Sequence, residues 1–398
     1  MAVAAEPEPP FPVTGTVEPG WEPVRDAFQA NLDAGMEVGA AVALYHRGRP
    51  VVDLHAGAFD RARTRPYDED VLQLVFSTTK GITAIALALC VQRGLLDYDD
   101  LVVDHWPEFG QAGKGEVTVA QLISHQAGLV SVDGPLALAD ALDWDGMVAR
   151  LARQAPYWPP GTGHGYHALT FGWLAGELVR RVDPEGRTLG GFVADEVVAP
   201  LGAELWIGLP GELESRVSPL IGREQPADAA VRALLEQFMG PDTLAGKALF
   251  LNGAFSNADA PFNQRAVHAA ELPAANAITN ARSLARIYAS TIGEVDGIRL
   301  LEPATVARAS STATRPDEPD QVLVYPSTFG MGFMTSGTFT PMLGSGSFGH
   351  AGAGGSLAFA QPASEIAFAY VMNRMDNTLN GDVRALTLVN AVAQVLRG

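Results

Sequence analysis

The chain has a single cysteine, Cys90, in 398 residues, which excludes an internal disulfide and any cysteine-based zinc cluster. Cys90 falls in an apolar run and reads as a small buried filler. Lysine is nearly as scarce. Only Lys80, Lys114 and Lys247 occur, and arginine carries almost all the positive charge. Acids dominate, with 45 Asp and Glu against 27 Lys and Arg and a formal net charge of −18. Such a surface repels phosphate and argues against a nucleic-acid groove or an anionic membrane as partner. No run reaches the roughly 18 apolar residues that a membrane span needs. The first ten residues, Met1 to Pro10, are acidic and proline-rich, without the basic and apolar regions of a targeting segment. A cytoplasmic location is the default expectation. What is abundant is apolar material, 47% of the residues, enough for a large core.

The pattern along the chain predicts an α+β protein. Residues 1–16 read as a loose arm, and Trp21 to Met36 has helical spacing. Ala40–His46 and Pro50–His55 flank Arg47-Gly48-Arg49 as a hairpin. From residue 97 to about 312 short helical segments alternate with Pro- and Gly-rich loops, and strand signals are sparse, Leu205–Gly208 being the best. Strands return near the C-terminus, around Phe329–Thr335, Ser347–Gly349, Ser356–Ala360 and Glu365–Met372, before a final helix from Asp382 to Leu396. Hairpins at both ends predict one antiparallel sheet built from 17–96 and 313–398, flanked by helices, with 97–312 as an inserted, mostly helical domain.

The organising stretch is Ser77-Thr78-Thr79-Lys80, an S-x-x-K pattern at the mouth of the apolar run Ile82 to Cys90. On a helix this spacing puts both side chains on one face, so the Lys80 amine can reach Ser77 Oγ. The first turn of a helix also supplies unpaired N–H groups and a positive dipole end. An amine beside a hydroxyl at such a place suits nucleophilic catalysis by serine. With three lysines and 16 serines in 398 residues, this spacing arises by chance about 12% of the time. Its company therefore decides.

Two further stretches could complete a site. Pro159-Pro160-Gly161 leads through His164 to Tyr166 and His167, and the spacing predicts Tyr166 at a helix start. Phe348-Gly349-His350-Ala351-Gly352-Ala353 is a glycine-rich strand where a substrate could approach backbone. His125 invites a Ser-His pairing, and His164 with His167 a metal site, but structural roles are the expectation for all three. Gly354-Gly355-Ser356-Leu357-Ala358 lacks the final glycine of G-x-S-x-G, so a nucleophile elbow is not supported.

S-x-x-K, then Tyr166-His167-Ala168, then His350-Ala351-Gly352, in that order, resembles the serine β-lactamase and penicillin-binding-protein superfamily, most of all class C β-lactamases and family VIII carboxylesterases. The resemblance runs from about Val38 to Val395. It implies a β-lactamase-like fold, acylation of Ser77, proton handling by Lys80 and Tyr166, and an oxyanion hole from the N–H groups of Ser77 and Ala353. It also implies that no metal or cofactor is needed. Lactamases carry Tyr-x-Asn and Lys-Thr-Gly where this chain has Ala168 and His350. A histidine titrates near neutrality and holds a carboxylate less firmly than lysine. His350, Ala351 and Gly352 are expected to line the substrate site, with Asn252 donating to a substrate carbonyl and Trp158, beside Tyr157, lining an apolar acyl pocket. The expected partner is a small neutral ester. Acyl transfer, β-lactam hydrolysis or D-amino-acid peptidase activity are the alternatives.

Overall fold

The computed structural model describes residues 11–222, 228–255, 260–376 and 381–397. Its centre is an antiparallel sheet in the order β1-β3-β2-β11-β10-β9-β8. The strands from the front of the chain are β1 (Thr14–Val17), β2 (Gly39–His46) and β3 (Arg49–Gly57). Those from the back are β8 (Met334–Thr335), β9 (Phe348–Ala351), β10 (Leu357–Gln361) and β11 (Ile366–Met372). β2 and β11 join the two halves, with Ala43 opposite Ala369. Every residue of β11, and all of β2 except His46, is buried. That is the expected place for short continuous apolar runs bounded by turns.

The β2–β3 hairpin turns through Arg47 and Gly48, at φ 52° and 71°. Two positive φ values in a two-residue loop match the right-handed twist of the strands. The expected arm is corrected in part: Thr14–Val17 pairs with β3, Thr14 opposite His55, and so forms the edge of the sheet. Residues 1–10 of that arm lie outside the described residues.

A second, small sheet was legible in the sequence only at Leu205–Gly208, which holds one of its four strands. It runs β5-β7-β4-β6, from β4 (Leu72–Leu74), β5 (Leu205–Trp206), β6 (Val217–Ser218) and β7 (Ile278–Thr279). Three of these strands have two residues, too few to show an alternation. Its importance is positional, because β4 leads directly into the nucleophile segment.

Five helices frame the site: α1 (Glu22–Asp33), α2 (Thr79–Gln92), α3 (Thr170–Val182), α4 (Ala281–Ile292) and α5 (Val383–Val395). α2 is buried from Thr79 to Cys90, as a helix apolar on all sides must be. It packs against α3. The sequence reading put 281–292 in the insertion, but α4 packs on β2, β10 and β11 of the large sheet. Arg282 Nε lies 2.7 Å from Asp53 and Arg286 donates to the Tyr45 hydroxyl at 3.4 Å. Helical periodicity reports an apolar face and not what that face meets. Among the described residues no helix is long and apolar enough to cross a membrane.

Candidate active site

β4 ends at Leu74, and Val75 N–H is held by the Ala277 carbonyl at 3.0 Å. Phe76 then takes φ 46°, which a bulky residue rarely adopts, with its ring edge-on to Phe262 at 4.8 Å. This kink explains a difference from expectation. Ser77 sits in a 3₁₀ turn, Phe76–Thr78, that precedes α2 and does not belong to it. Ser77 and Lys80, three positions apart across this junction, still share one face, and Nζ lies 2.9 Å from Oγ.

Lys80 is fully buried. Its Nζ lies 2.9 Å from Ser77 Oγ, 2.6 Å from the Ala168 carbonyl and 2.9 Å from the Ala274 carbonyl. Burial without a nearby carboxylate pushes the ammonium well below its usual range. The Tyr166 ring lies beside the amine, with Nζ 4.8 Å from its centroid. Burial raises the Tyr166 phenol, opposed by its hydrogen bond with Ser77. Ser77, Lys80 and Tyr166 thus meet, although the tyrosine is far away in the chain. Ser77 is the partly exposed member of the three.

Tyr166 does not open a helix as expected. It lies in irregular backbone, four residues before α3 begins at Thr170. Its N–H donates to Asp320 Oδ1 at 3.0 Å, and His167 N–H donates to His125 Nδ1 at 3.1 Å. Buried Asp320 also accepts from the N–H groups of Val322 and Leu323 and from the Ser327 hydroxyl, at 2.8, 2.9 and 2.8 Å. His164 lies 3.1 Å from that hydroxyl. Asp320 was missed in the sequence. Its one signal is an acid just ahead of an apolar pair, the pattern of a side chain capping its own turn. Asp320→Ala is expected to destabilise the fold by roughly 2–4 kcal/mol, since four donors lose their acceptor. Urea unfolding checks this.

The other histidines are spent on architecture. His167 accepts from Leu129 N–H at 2.9 Å and donates to the Gly165 carbonyl at 2.7 Å. His125 packs edge-on to Phe329, 4.3 Å between centroids, and orders the tyrosine loop. Trp158 is buried under the same loop, donating to the Gly163 carbonyl at 3.2 Å with its ring edge toward His167. Asn252 is corrected. Its amide donates to the Val132 carbonyl at 3.3 Å and to the Gly134 carbonyl, so that donor is engaged by a neighbouring loop.

His350 is fully buried and stacked on Tyr166, 5.9 Å between centroids. Its Nδ1–H donates to the Ala351 carbonyl at 2.7 Å, and Nε2 has no partner among the described residues. Burial pushes its pKa down to about 3. The expected titration near neutrality is therefore corrected: the imidazole stays neutral.

Gly352 brings the turn after β9 onto the nucleophile segment, where any Cβ would run into Ser356 Oγ and Val75 O. Ser356, weighed above only as a failed elbow serine, donates to Val75 O at 2.8 Å and lies 3.0 Å from Thr78 Oγ1. It ties the Ala353 turn to the Ser77 turn.

A strained serine turn, a buried amine and a phenol between an antiparallel sheet and a helical layer define a class. The chain matches the Beta-lactamase family model over residues 24–393 and belongs to that family. It is a serine hydrolase. The esterase/β-lactamase LipL of Mycobacterium tuberculosis is 36% identical over 376 residues, covering 91% of this chain and 83% of LipL. The crystal structure of a family VIII carboxylesterase superposes with TM-score 0.85 at 35% identity, covering 97% of this chain and 100% of that one. A penicillin-binding-protein homologue from Caulobacter crescentus gives TM-score 0.87 at 38% identity, covering 96% and 100%.

Proposed function

We propose that the chain is a carboxylesterase that cleaves neutral esters through an acyl-enzyme on Ser77. The observation that carries this reading is the set of partners around Lys80 Nζ. Two are carbonyl oxygens, which can only accept, at 2.6 and 2.9 Å. A neutral amine gives its two hydrogens to them and turns its lone pair to the third partner, Ser77 Oγ. Lys80 is then the resting base, and Tyr166 stays a phenol that donates.

As Ser77 Oγ attacks the ester carbonyl, its proton moves to Lys80. The N–H groups of Ser77 and Ala353 receive the developing oxyanion. Tyr166 hands its proton to the departing alkoxide and is reprotonated from Lys80. In the second half, water gives up a proton along the same route, attacks the acyl carbonyl and frees Ser77.

Neutral esters follow from the lining. Burial keeps His350 neutral near pH 7, so it offers a carboxylate no cation. Ala168 offers no side-chain amide, and its carbonyl is taken by Lys80. The LipL name joins esterase and β-lactamase, so both substrates belong in one assay. kcat/KM for p-nitrophenyl butyrate is expected to exceed that for nitrocefin by about 10³-fold or more. Equal values would refute the substrate assignment. Butyryl ester formed from an added alcohol would shift the reading to acyl transfer.

A further inference from the structure

The C-terminal helix α5 carries an arginine whose charge the mechanism above does not use. Arg384 is buried, and Asp382 grips it with both oxygens, Nε to Oδ1 at 3.0 Å and Nη2 to Oδ2 at 2.7 Å. Nη1 donates to the Arg374 carbonyl at 2.9 Å and faces Glu37 Oε2 at 3.3 Å. Nη1 also reaches the Met36 carbonyl at 3.4 Å, and one bond runs to the active-site turn: Nη2 donates to the Gly354 carbonyl at 2.6 Å. Asp376 N–H donates to the same carbonyl at 3.0 Å.

That carbonyl shares its peptide plane with Gly355 N–H, which donates to the Gly352 carbonyl at 3.1 Å. The Gly352 carbonyl in turn shares a plane with Ala353 N–H. In a trans peptide the C=O and N–H point in opposite directions. Fixing Gly354 O therefore fixes Gly355 N–H, then Gly352 O, and finally the direction of Ala353 N–H. Gly354 and Gly355, at φ 88° and 129°, give the turn no side chain that would hold it from within. Hydrogen bonds in series also polarise one another, more so when the first donor is a cation.

We propose that Arg384 is a positioning residue for the oxyanion hole: clamped by Asp382, its guanidinium aims and polarises Ala353 N–H through two linked peptide planes. This rests on the acyl-serine reading above. The loss of one oxyanion donor lowers kcat by about 10²–10³-fold, and a displacement of about 1 Å costs about 10²-fold.

The test compares the parent, Arg384→Gln and Arg384→Lys. It uses p-nitrophenyl butyrate, active sites counted by a fluorophosphonate, and butylboronic acid as inhibitor. Ser77 Oγ adds to the boron with nothing leaving and its proton passing to Lys80, so a boron-bound oxygen occupies the oxyanion position. Expected for Arg384→Gln is a kcat per titrated site about 10²-fold lower, KM within about threefold, and a boronate Ki raised in step with the loss in kcat/KM. Arg384→Lys, which keeps the charge and one bond, should recover part of the loss. It also carries the test if the glutamine variant does not fold. Parental kcat per titrated site and parental Ki in Arg384→Lys and in any folded Arg384→Gln would overturn the proposal, whatever happens to Tm. Ser77→Ala separates the two failures. If it keeps turnover, the acyl-serine reading falls first; if it is inactive while the Arg384 variants match the parent, only the positioning role falls.

Discussion

Ser77→Ala is expected to lower kcat for p-nitrophenyl butyrate by about 10⁴–10⁶-fold, the largest effect of any single change in this chain. Covalent catalysis has no substitute hydroxyl here. Thr78 Oγ1, next in the chain, is bound to Ser356 Oγ at 3.0 Å, and Thr79 donates to the Phe76 carbonyl at 2.5 Å. The fold should survive, because Ser77 is partly exposed and its removal leaves Lys80 with its two carbonyl partners. Steady-state kinetics with a melting curve on the same sample checks both halves. Turnover within tenfold of the parent would exclude Ser77 as nucleophile.

Lys80→Met should cost about 10³–10⁴-fold in kcat and should also change two pH profiles. In the parent, the neutral amine is the working base, so kcat/KM falls as pH drops through the depressed Lys80 pKa. The variant loses this limb. Stability moves with a definite sign. The folded pKa lies well below the usual lysine value, so between the two the unfolded chain binds a proton that the folded chain does not. Folding of the parent is therefore favoured as pH rises through that window and disfavoured as it falls, until the folded amine is itself protonated. Lys80→Met has no such group. Its stability relative to the parent should be greater at pH 7 than at pH 10, as urea unfolding at the two values would register. A difference independent of pH would mean that the buried amine is charged in the folded protein.

The most legible parts of the chain were those with a strong local signature. The continuous apolar runs at 39–46 and 366–372 gave the two central strands, and their positions at opposite ends foretold one sheet closed by both halves. S-x-x-K placed Ser77 over Lys80 because the contact is made within one turn. What stayed hidden depends on partners distant in sequence. Asp320 reaches Tyr166 across 154 positions, and Arg384 reaches Gly354 across 30. His350 looked like a titrating group because its ordinary pKa is near neutrality, and only its burial shows that it is not. Asn252 looked free because a sequence does not reveal which loop an amide will brace. Such errors share one cause: residue type tells what a side chain can do, and the fold decides which of its atoms remain available.

The central claim is that Ser77 becomes acylated, and trapping that state tests it most directly. The protein is mixed with p-nitrophenyl butyrate, quenched in acid within the first turnovers, and its intact mass recorded before proteolysis maps any adduct. The account predicts a gain of one butyryl group on the peptide that contains Ser77, absent in Ser77→Ala. An adduct on another residue, or full turnover with no dependence on Ser77, would contradict it.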